Sequence, residues 1–518
     1  MEVESMDLDF ARSVTEPLAR AFSDAGHSLY LVGGSVRDAV LGIDSEDLDF
    51  TTSARPDEIE VILKSLGGPI WDMGRQFGTI GTILYTKNPE SVRQSEEVAD
   101  DLVSRGSHSK GHENIPSNPH DKVSVPKANR HPSTRREWKV EVTTFRADSY
   151  ALDSRKPEVQ FGNRIEDDLL RRDFTINAMA VDLSDGSFVD PFRGQVDLIE
   201  GVLRTPSTPE ISFSDDPLRM MRAARFAARF GFRPVPEVIS AMMNMTERLR
   251  IVSMERIRDE LSKLLLTDTP RVGIDILVRT GLSEIFLPEL GAMQLEVDEH
   301  HHHKDVYQHS LTVLDQAIAL EKARNHQPDI VNRLAALLHD IGKPKTKRLE
   351  AGGKVSFYHH DVVGAKMARK RLTELRYPKD VIESVSTLIE LHLRFHGYGE
   401  AQWTDSAVRR YVRDAGSELE RLHILTRSDC TTRIKAKAER LRRAYEELEW
   451  RIDELAAQEE LDAMRPDLNG DQIMEILGIG PGRQVGAAYK FLLERRLDRG
   501  PVGVEEATTE LLEWFQVQ

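Results

Sequence analysis

Residues 29–52 read LYLVGGSVRDAVLGIDSEDLDFTT, and this stretch decides the fold of the N-terminal part of the chain. Leu29, Leu31 and Val32 form a short apolar run that ends at Gly33-Gly34, and Val36 to Leu41 follow with helical spacing before Gly42 closes them. The pattern predicts a strand, a glycine turn and a short helix. A glycine pair opening a helix lets backbone N–H groups approach a phosphate closely, where the helix N-terminus favours negative charge. A second strand then carries Asp47, Leu48, Asp49 and Phe50. Its period of two puts both carboxylates on one face and turns Leu48 and Phe50 into a core. Two aligned carboxylates can hold two Mg²⁺ ions, a pair that activates an attacking hydroxyl and stabilises pyrophosphate leaving the α-phosphorus of a nucleoside triphosphate. A solvated surface Asp-x-Asp is the plain alternative, and the glycine pair at this spacing weighs against it.

Together, Gly33-Gly34, Arg37 on the following helix and the Asp47-x-Asp49 strand resemble the signature of polymerase-beta-type nucleotidyltransferases. Within them the pattern is similar to the class II branch, which contains CCA-adding tRNA nucleotidyltransferases and bacterial poly(A) polymerases. The resemblance implies that Gly33, Gly34 and Arg37 contact the nucleotide, that Asp47 and Asp49 are catalytic Mg²⁺ ligands, that CTP and ATP are the substrates, and that the tRNA 3′ end is the acceptor.

Composition fits a large enzyme. A length of 518 residues allows three or four domains, each with its own core. The single cysteine, Cys430, excludes a disulfide framework and fits a reducing compartment. The acidic start MEVESMDLDFARS has no apolar leader, and no apolar run reaches membrane-spanning length, so a cytoplasmic location is expected, with neither membrane nor DNA as partner. A net charge of −16 argues against a generally basic surface but leaves room for a local basic track on RNA.

Gly78 to Thr86 and Trp138 to Phe145 both read as strands, and the Ser-, His-, Asn- and Pro-rich residues 88–136 between them read as a disordered insertion. In the second strand Val140 and Val142 alternate with Glu141 and Thr143, so Glu141 is either a third active-site carboxylate beside the aspartates or an exposed strand glutamate. Arg171, Arg172 and Asp173 precede what reads as an apolar helical run containing Asn177. By the resemblance this block contacts ribose and triphosphate, a role suited to arginine because its planar donors pair bidentately with phosphate. Asp190, Arg193 and Gly194 stand where the family has a flexible hinge.

Asp215-Asp216-Pro217-Leu218-Arg219 opens a further helix, a well-made start with proline and acidic residues at its N-terminus. The spacing predicts Asp216 and Arg219 on one helical face. The block resembles the ED-x-x-R motif with Asp215 in place of the usual glutamate, which implies selection of CTP or ATP by side chains that read the Watson–Crick edge. Val252 to Leu265 resembles the family's neck-closing helix, with Glu255, Arg256 and Glu260 either at matching places or on an exposed face.

A second chemistry follows. His309, the adjacent His339-Asp340, His360, His392 and Asp429 form the ligand pattern of HD-domain phosphohydrolases, in which imidazole and carboxylate hold a divalent transition metal that activates water. EHHHH at 299–303 precedes this set and reads as native sequence. From Thr432 to Glu459 one long helix is expected, with Arg433, Lys435, Lys437, Arg440, Arg442 and Arg443 as solvated charge or an RNA track. The LNGDQIMEILGIGPGRQVG block beyond it resembles the tail of long bacterial CCA-adding enzymes.

The expected fold class is α+β: a mixed-sheet nucleotidyltransferase head (1–193), an all-α neck (194–285), an HD domain (286–430) and a helical, tRNA-binding tail (431–518). The expected reaction is CCA addition to tRNA, with further hydrolysis at the HD site. The competitors are a poly(A) polymerase, disfavoured because Arg75-Gln76-Phe77-Gly78-Thr79 resembles the CCA-adding version, and an HD hydrolase whose head only binds RNA. A bifunctional alarmone enzyme would place its HD domain first.

Overall fold

The computed structural model describes residues 11–43, 47–87, 135–146, 149–150, 157–158, 161–162, 164–295, 305–351, 355–397, 403–432, 434–459 and 465–516. The insertion, apart from residues 135–136, lies outside the described residues, as do the histidine run at 299–303 and Arg433. The chain divides into two compact units, residues 1–219 with 233–241, and residues 220–232 with 242–518.

The first unit carries a seven-stranded mixed sheet in the order β3-β4-β5-β2-β1-β6-β7. The strands are β1 Leu29–Val32, β2 Asp47–Thr52, β3 Ile70–Trp71, β4 Thr79–Lys87, β5 Arg135–Thr144, β6 Ala180–Asp182 and β7 Phe188–Val189. β2 runs parallel to β5, and the other neighbours are antiparallel. The two strands that flank the insertion, β4 and β5, pair directly along nine residues. Leu48, Phe50, Val140 and Val142 are buried on one face, as alternation demands. Helices α1 Arg12–Asp24 and α3 Pro56–Ser65 pack against these strands. Each offers a stripe at helical spacing, Val14, Leu18 and Phe22 from α1 and Ile59 and Leu63 from α3. Pro56 starts α3, and Glu58 accepts from Arg55 N at 2.7 Å to complete its cap. Between β1 and β2 lies α2 Gly34–Val40; α4 Ile165–Leu170 precedes β6, and α5 Gly194–Glu200 and α6 Pro209–Asp215 follow β7.

Two local expectations are corrected here. The Arg171-Arg172-Asp173 block does not start an apolar helix: it follows the end of α4, and the residues after it form one 3₁₀ turn, Thr175–Asn177, before entering β6. Asp216 is not on the helix it was expected to share with Arg219. Its φ of −140° and ψ of 101° place it between α6 and α7 Leu218–Phe230, where its Oδ1 accepts from Leu218 N at 3.2 Å.

Among its described residues the second unit is helical apart from a two-residue strand pair. Its helices include α8 Met254–Leu265, α9 Val306–Ala323, α10 Ile330–Leu338, α11 His360–Glu374, α12 Lys379–Leu391 and α13 Leu419–Ser428. Glu260 on α8 is buried rather than on an exposed face, and accepts from Arg225 Nε at 2.7 Å. Arg333, 1% exposed, donates to Glu321 at 3.0 Å and to the carbonyls of Leu265 and Thr267 at 2.7 Å each, so every fork of a buried guanidinium is used. The long helix α14 Lys435–Glu459 matches its expected span, and α15 Gly470–Leu477, α16 Arg483–Arg499 and α17 Val504–Gln516 close a small core around Ile473, Leu492 and Leu511. No described helix is long and apolar enough to cross a membrane.

Candidate active site

The carboxylates of the first unit meet through strand register. In the parallel ladder Asp49 lies opposite Glu141 and Asp47 opposite Lys139, while Leu48 and Val140 face the core between them. Directly opposed residues share a face, so Asp47, Asp49 and Glu141 share the solvent side of the sheet. Protein packed around the Asp49 carboxyl raises its pKa although the residue keeps surface toward solvent. Nearby Glu141 and Asp47 add to the rise, and the Arg172 guanidinium opposes it. Three carboxylates on one face offer hard oxygen donors of the kind divalent cations prefer.

The backbone aims this set. Gly33 has φ 73° and ψ −132°, and α2 starts behind it. A Cβ on Gly33 would lie 2.7 Å from Arg172 Nη1 and 3.9 Å from Asp49 Oδ2, so the absent side chain leaves the place that Arg172 fills beside the catalytic strand. Ser35 donates through Oγ to Asp47 O at 3.0 Å and accepts from Asp49 N at 3.3 Å, fixing the start of β2 to the turn.

Arg171 and Arg172 converge on one buried carboxylate, Asp168. Arg171 Nη2 donates to Oδ1 at 2.8 Å and Arg172 Nη2 to Oδ2 at 3.1 Å. Burial works to raise the Asp168 carboxyl, and the two guanidinium groups outweigh it, holding the group below its ordinary value. Arg37 is turned inward: Nη2 donates to Asp38 Oδ1 at 2.6 Å and Nη1 to Asn177 Oδ1 at 2.6 Å. Asn177 Nδ2 in turn donates to Asp173 Oδ1 at 2.9 Å. The relay Asp38–Arg37–Asn177–Asp173 links Arg37 and Asn177 to Asp173 in one hydrogen-bonded chain beside the glycine turn. Arg219 is buried as well, donating to Ser212 Oγ at 2.9 Å and to Arg171 O at 2.5 Å, which ties the Asp215–Arg219 block to the arginine pair. Asp215 ends α6, and Asp216 follows it half-buried. At the expected hinge, Asp190 accepts from Gly194 N at 2.6 Å and Gln195 N at 2.9 Å, and Arg193 is left-handed with φ 60°.

Asp168 and Ser35 have no place in the sequence reading. The signal for Asp168 is present, an aspartate three and four residues before an arginine pair at the end of a helix; Ser35 gives none, because its partners are reached only after the chain turns back.

All six expected HD residues of the second unit come together. His309 lies on α9, His339 and Asp340 at the end of α10, His360 at the start of α11, His392 just after α12 and Asp429 just after α13. His309 Nε2 is 2.9 Å from Asp429 Oδ1, His339 Nε2 is 3.2 Å from Asp340 Oδ2, and His360 Nε2 is 3.3 Å from Asp340 Oδ1. The outer nitrogens are anchored: Nδ1 of His339, His360 and His392 lies 2.9, 2.8 and 2.5 Å from the carbonyls of Ala336, Phe357 and Ile389. A carbonyl only accepts, so each Nδ1 carries a proton and each Nε2 is the nitrogen turned inward, the one a metal would take. The donors form two triads, His309/His339/Asp429 and Asp340/His360/His392. Burial lowers His339 basicity, but Asp340 and Asp429 outweigh it and push the group up to about 9, whereas burial and the neighbouring His339 take His392 down to about 3. Lys343 Nζ stands 2.9 Å from Asp340 Oδ2, which makes no well-directed hydrogen bond. Inward nitrogens with an under-satisfied buried carboxylate fit a divalent transition metal.

Comparisons with known proteins agree with this geometry. Residues 29–100 and 101–204 match the poly A polymerase head domain, 231–293 the probable RNA and SrmB-binding site of polymerase A, and 306–434 the HD domain. An A-adding tRNA nucleotidyltransferase of Deinococcus radiodurans is 36% identical over 362 residues, which cover 68% of this chain and 80% of the relative. The chain belongs to the tRNA nucleotidyltransferase family. Another of these nucleotidyltransferases, the CC-adding enzyme of Thermus thermophilus, is 32% identical over 360 residues, 68% of this chain and 78% of that one. The fold is also that of a Bacillus stearothermophilus CCA-adding enzyme in complex with CTP, at a TM-score of 0.61 and 21% identity over 99% of both chains. As a tRNA nucleotidyltransferase the chain requires a divalent cation.

Proposed function

We propose that this chain adds CCA to the 3′ end of tRNA from CTP and ATP with Mg²⁺, releasing pyrophosphate. The observation that carries this reading is the in-register pair Asp49–Glu141 with Asp47 on the same open face, set beside a glycine turn that Arg172 covers. Mg²⁺ held by Asp47, Asp49 and Glu141 would supply charge stabilisation to the attacking hydroxyl and the leaving group. The backbone at Gly33 and Gly34 cradles the triphosphate, and Arg171 and Arg172, pre-oriented by Asp168, present forked donors to it. Asp173 accepts from the ribose, while Asp215, Asp216 and Arg219 choose the base. Residues 1–193 act as the head, 194–285 as the neck that takes part in selection, 286–430 as the HD domain and 431–518 as a tRNA-binding tail.

The six HD residues would hold a divalent transition metal that supplies an activated water, and the substrates of that chemistry are phosphomonoesters or 2′,3′-cyclic phosphates on damaged RNA ends. The nitrogens converging from three carbonyl-anchored imidazoles support this second activity.

The test uses labelled CTP or ATP, Mg²⁺ and tRNA transcripts ending before CCA, after C and after CC, resolved at single-nucleotide length. Addition that stops after CCA is expected. A long ladder from ATP would make the chain a poly(A) polymerase, and A added only to the CC-ended transcript would give it the specificity that the Deinococcus relative's name states. No incorporation at all, with hydrolysis retained, would reduce the head to an RNA-binding module.

A further inference from the structure

The register of the sheet continues past the carboxylates. Across three strand pairs Trp71 lies opposite Gly81, Gly81 opposite Glu141, and Glu141 opposite Asp49. All four positions share the open face. Gly81 has no side chain there, and a Cβ on it would lie 2.1 Å from Trp71 Cε2, 2.3 Å from Nε1 and 2.4 Å from Cζ2. An approach in the ring plane would bring the rim atoms Nε1 and Cζ2 nearer than Cε2; since Cε2 is nearest, the indole lies with its face on the strand. Its other face is turned away from the sheet, and Trp71 is accordingly half-buried. The ring over β4 stands two strand spacings, about 10 Å, from the aspartate strand.

Beside this row is a cation. Lys139, in register with Asp47, has a side chain 53% exposed, with Nζ 3.7 Å from Glu141 Oε1. Further along the same face of β4 comes Tyr85, 54% exposed and four residues from Gly81, about 13 Å along the strand. Pairing with Glu141 accounts for the charge of Lys139, and packing over Gly81 uses one face of the Trp71 indole, which leaves its other face and the exposed Tyr85 ring open among the described residues.

We propose that Trp71, Lys139 and Tyr85 seat the unpaired 3′ strand of the RNA acceptor, Trp71 stacking a base next to the reacting end and Lys139 meeting the phosphate beside it. Single strands are held in this way, by aromatic faces under the bases and cations along the backbone. The surface is continuous with the carboxylates, which suits a strand whose 3′ hydroxyl must end there. This rests on the reading of Asp47 and Asp49 as the catalytic pair.

The test compares wild type with Trp71→Ala, Trp71→Phe, Lys139→Ala and Tyr85→Ala in two measurements. The first is KM for tRNA ending in CC and, separately, KM for ATP. The second is equilibrium binding, without metal or nucleotide, of the same tRNA and of one trimmed by three 3′ nucleotides. Trp71→Ala is expected to raise the tRNA KM and dissociation constant about tenfold, to leave the ATP KM unmoved, and to bind full and trimmed tRNA alike; Trp71→Phe should largely rescue it. Tyr85→Ala and Lys139→Ala, both at open positions, should act in the same sense and decide the matter if Trp71→Ala does not fold. Unchanged tRNA binding in the folded variants, or a raised ATP KM in place of the tRNA KM, would overturn the proposal. A wild type whose tRNA binding depends on Trp71 but which incorporates nothing would uphold this surface and overturn the catalytic reading.

Discussion

Asp168 is wholly buried, and both of its oxygens are taken by Arg171 and Arg172, the proposed triphosphate ligands. Its carboxyl is held below the ordinary value, so the folded chain binds the proton more weakly than the unfolded chain. The stability this lends is therefore complete above the unfolded value of about 4 and is lost as pH falls below it toward the folded one. Asp168→Asn leaves two guanidinium groups without their counter-charge and should cost about 3 kcal/mol at neutral pH, while removing part of the acid-side loss seen in the wild type. Urea denaturation at a series of pH values reads both; equal midpoints for the two proteins at pH 7 would refute the role. Arg37 is a second case. Arg37→Lys keeps the charge but cannot span Asp38 and Asn177 with one planar fork. Asp173 then loses its alignment, and preference for CTP over dCTP should fall about tenfold while the Mg²⁺ dependence stays the same. An unaltered ratio of kcat/KM for the two nucleotides would show that the relay does not reach the ribose.

The turn between β1 and α2 concentrates these effects in one element. A side chain at Gly33 meets two costs, a φ of 73° that L-residues rarely adopt and a Cβ 2.7 Å from Arg172 Nη1. Gly33→Ala should destabilise the first unit by about 1–3 kcal/mol and cut kcat/KM for CTP by more than tenfold, because Arg172 must leave its place beside Asp49. Thermal unfolding with steady-state kinetics separates the two, and normal kinetics in the variant would rule out the close approach. This turn could be read from sequence because glycine, alternation and strand length all point the same way. The segment after Arg172 could not. Phe174 to Val181 is apolar throughout, apart from Thr175 and Asn177, and suits a buried helix as well as a 3₁₀ turn followed by a buried strand. Only the pairing of β6 with β1, some 150 residues earlier, decides between them. At Asp216 the local signal was available: a residue before proline is pushed out of the α region, which is why Asp216 ends up between two helices instead of one turn below Arg219.

At the scale of the whole chain, the two proposed metal sites draw on unlike donors in separately packed units. The first unit offers carboxylates on an open sheet; the second offers four histidines and two aspartates from five helices, brought together over 120 residues of sequence. No single histidine in that set is informative alone, yet the ordered set of His, His-Asp, His, His and Asp converges in two adjoining triads that could share a cation. His339 Nε2 and His309 Nε2 stand 3.2 Å apart, and the raised proton affinity of His339 puts a positive charge between them when no metal is bound. A bound transition metal would take the place of that proton and stabilise the second unit by mass action. Exhaustive chelation should therefore lower the melting temperature of the part of the chain that contains residues 242–518 and speed amide exchange at the ends of α10 and α12. Restoring Mg²⁺ alone should return CTP and ATP incorporation without restoring that stability, since Mg²⁺ prefers oxygen donors. His339→Ala should reproduce the chelated state and abolish hydrolysis while sparing nucleotide addition, and Asp47→Ala with Asp49→Ala should do the reverse. Elemental analysis of the purified chain, paired with calorimetry before and after chelation, checks the first half of this prediction. A centre that carries no metal and melts unchanged would leave the six residues as a buried polar network held by Lys343 and the paired carboxylates.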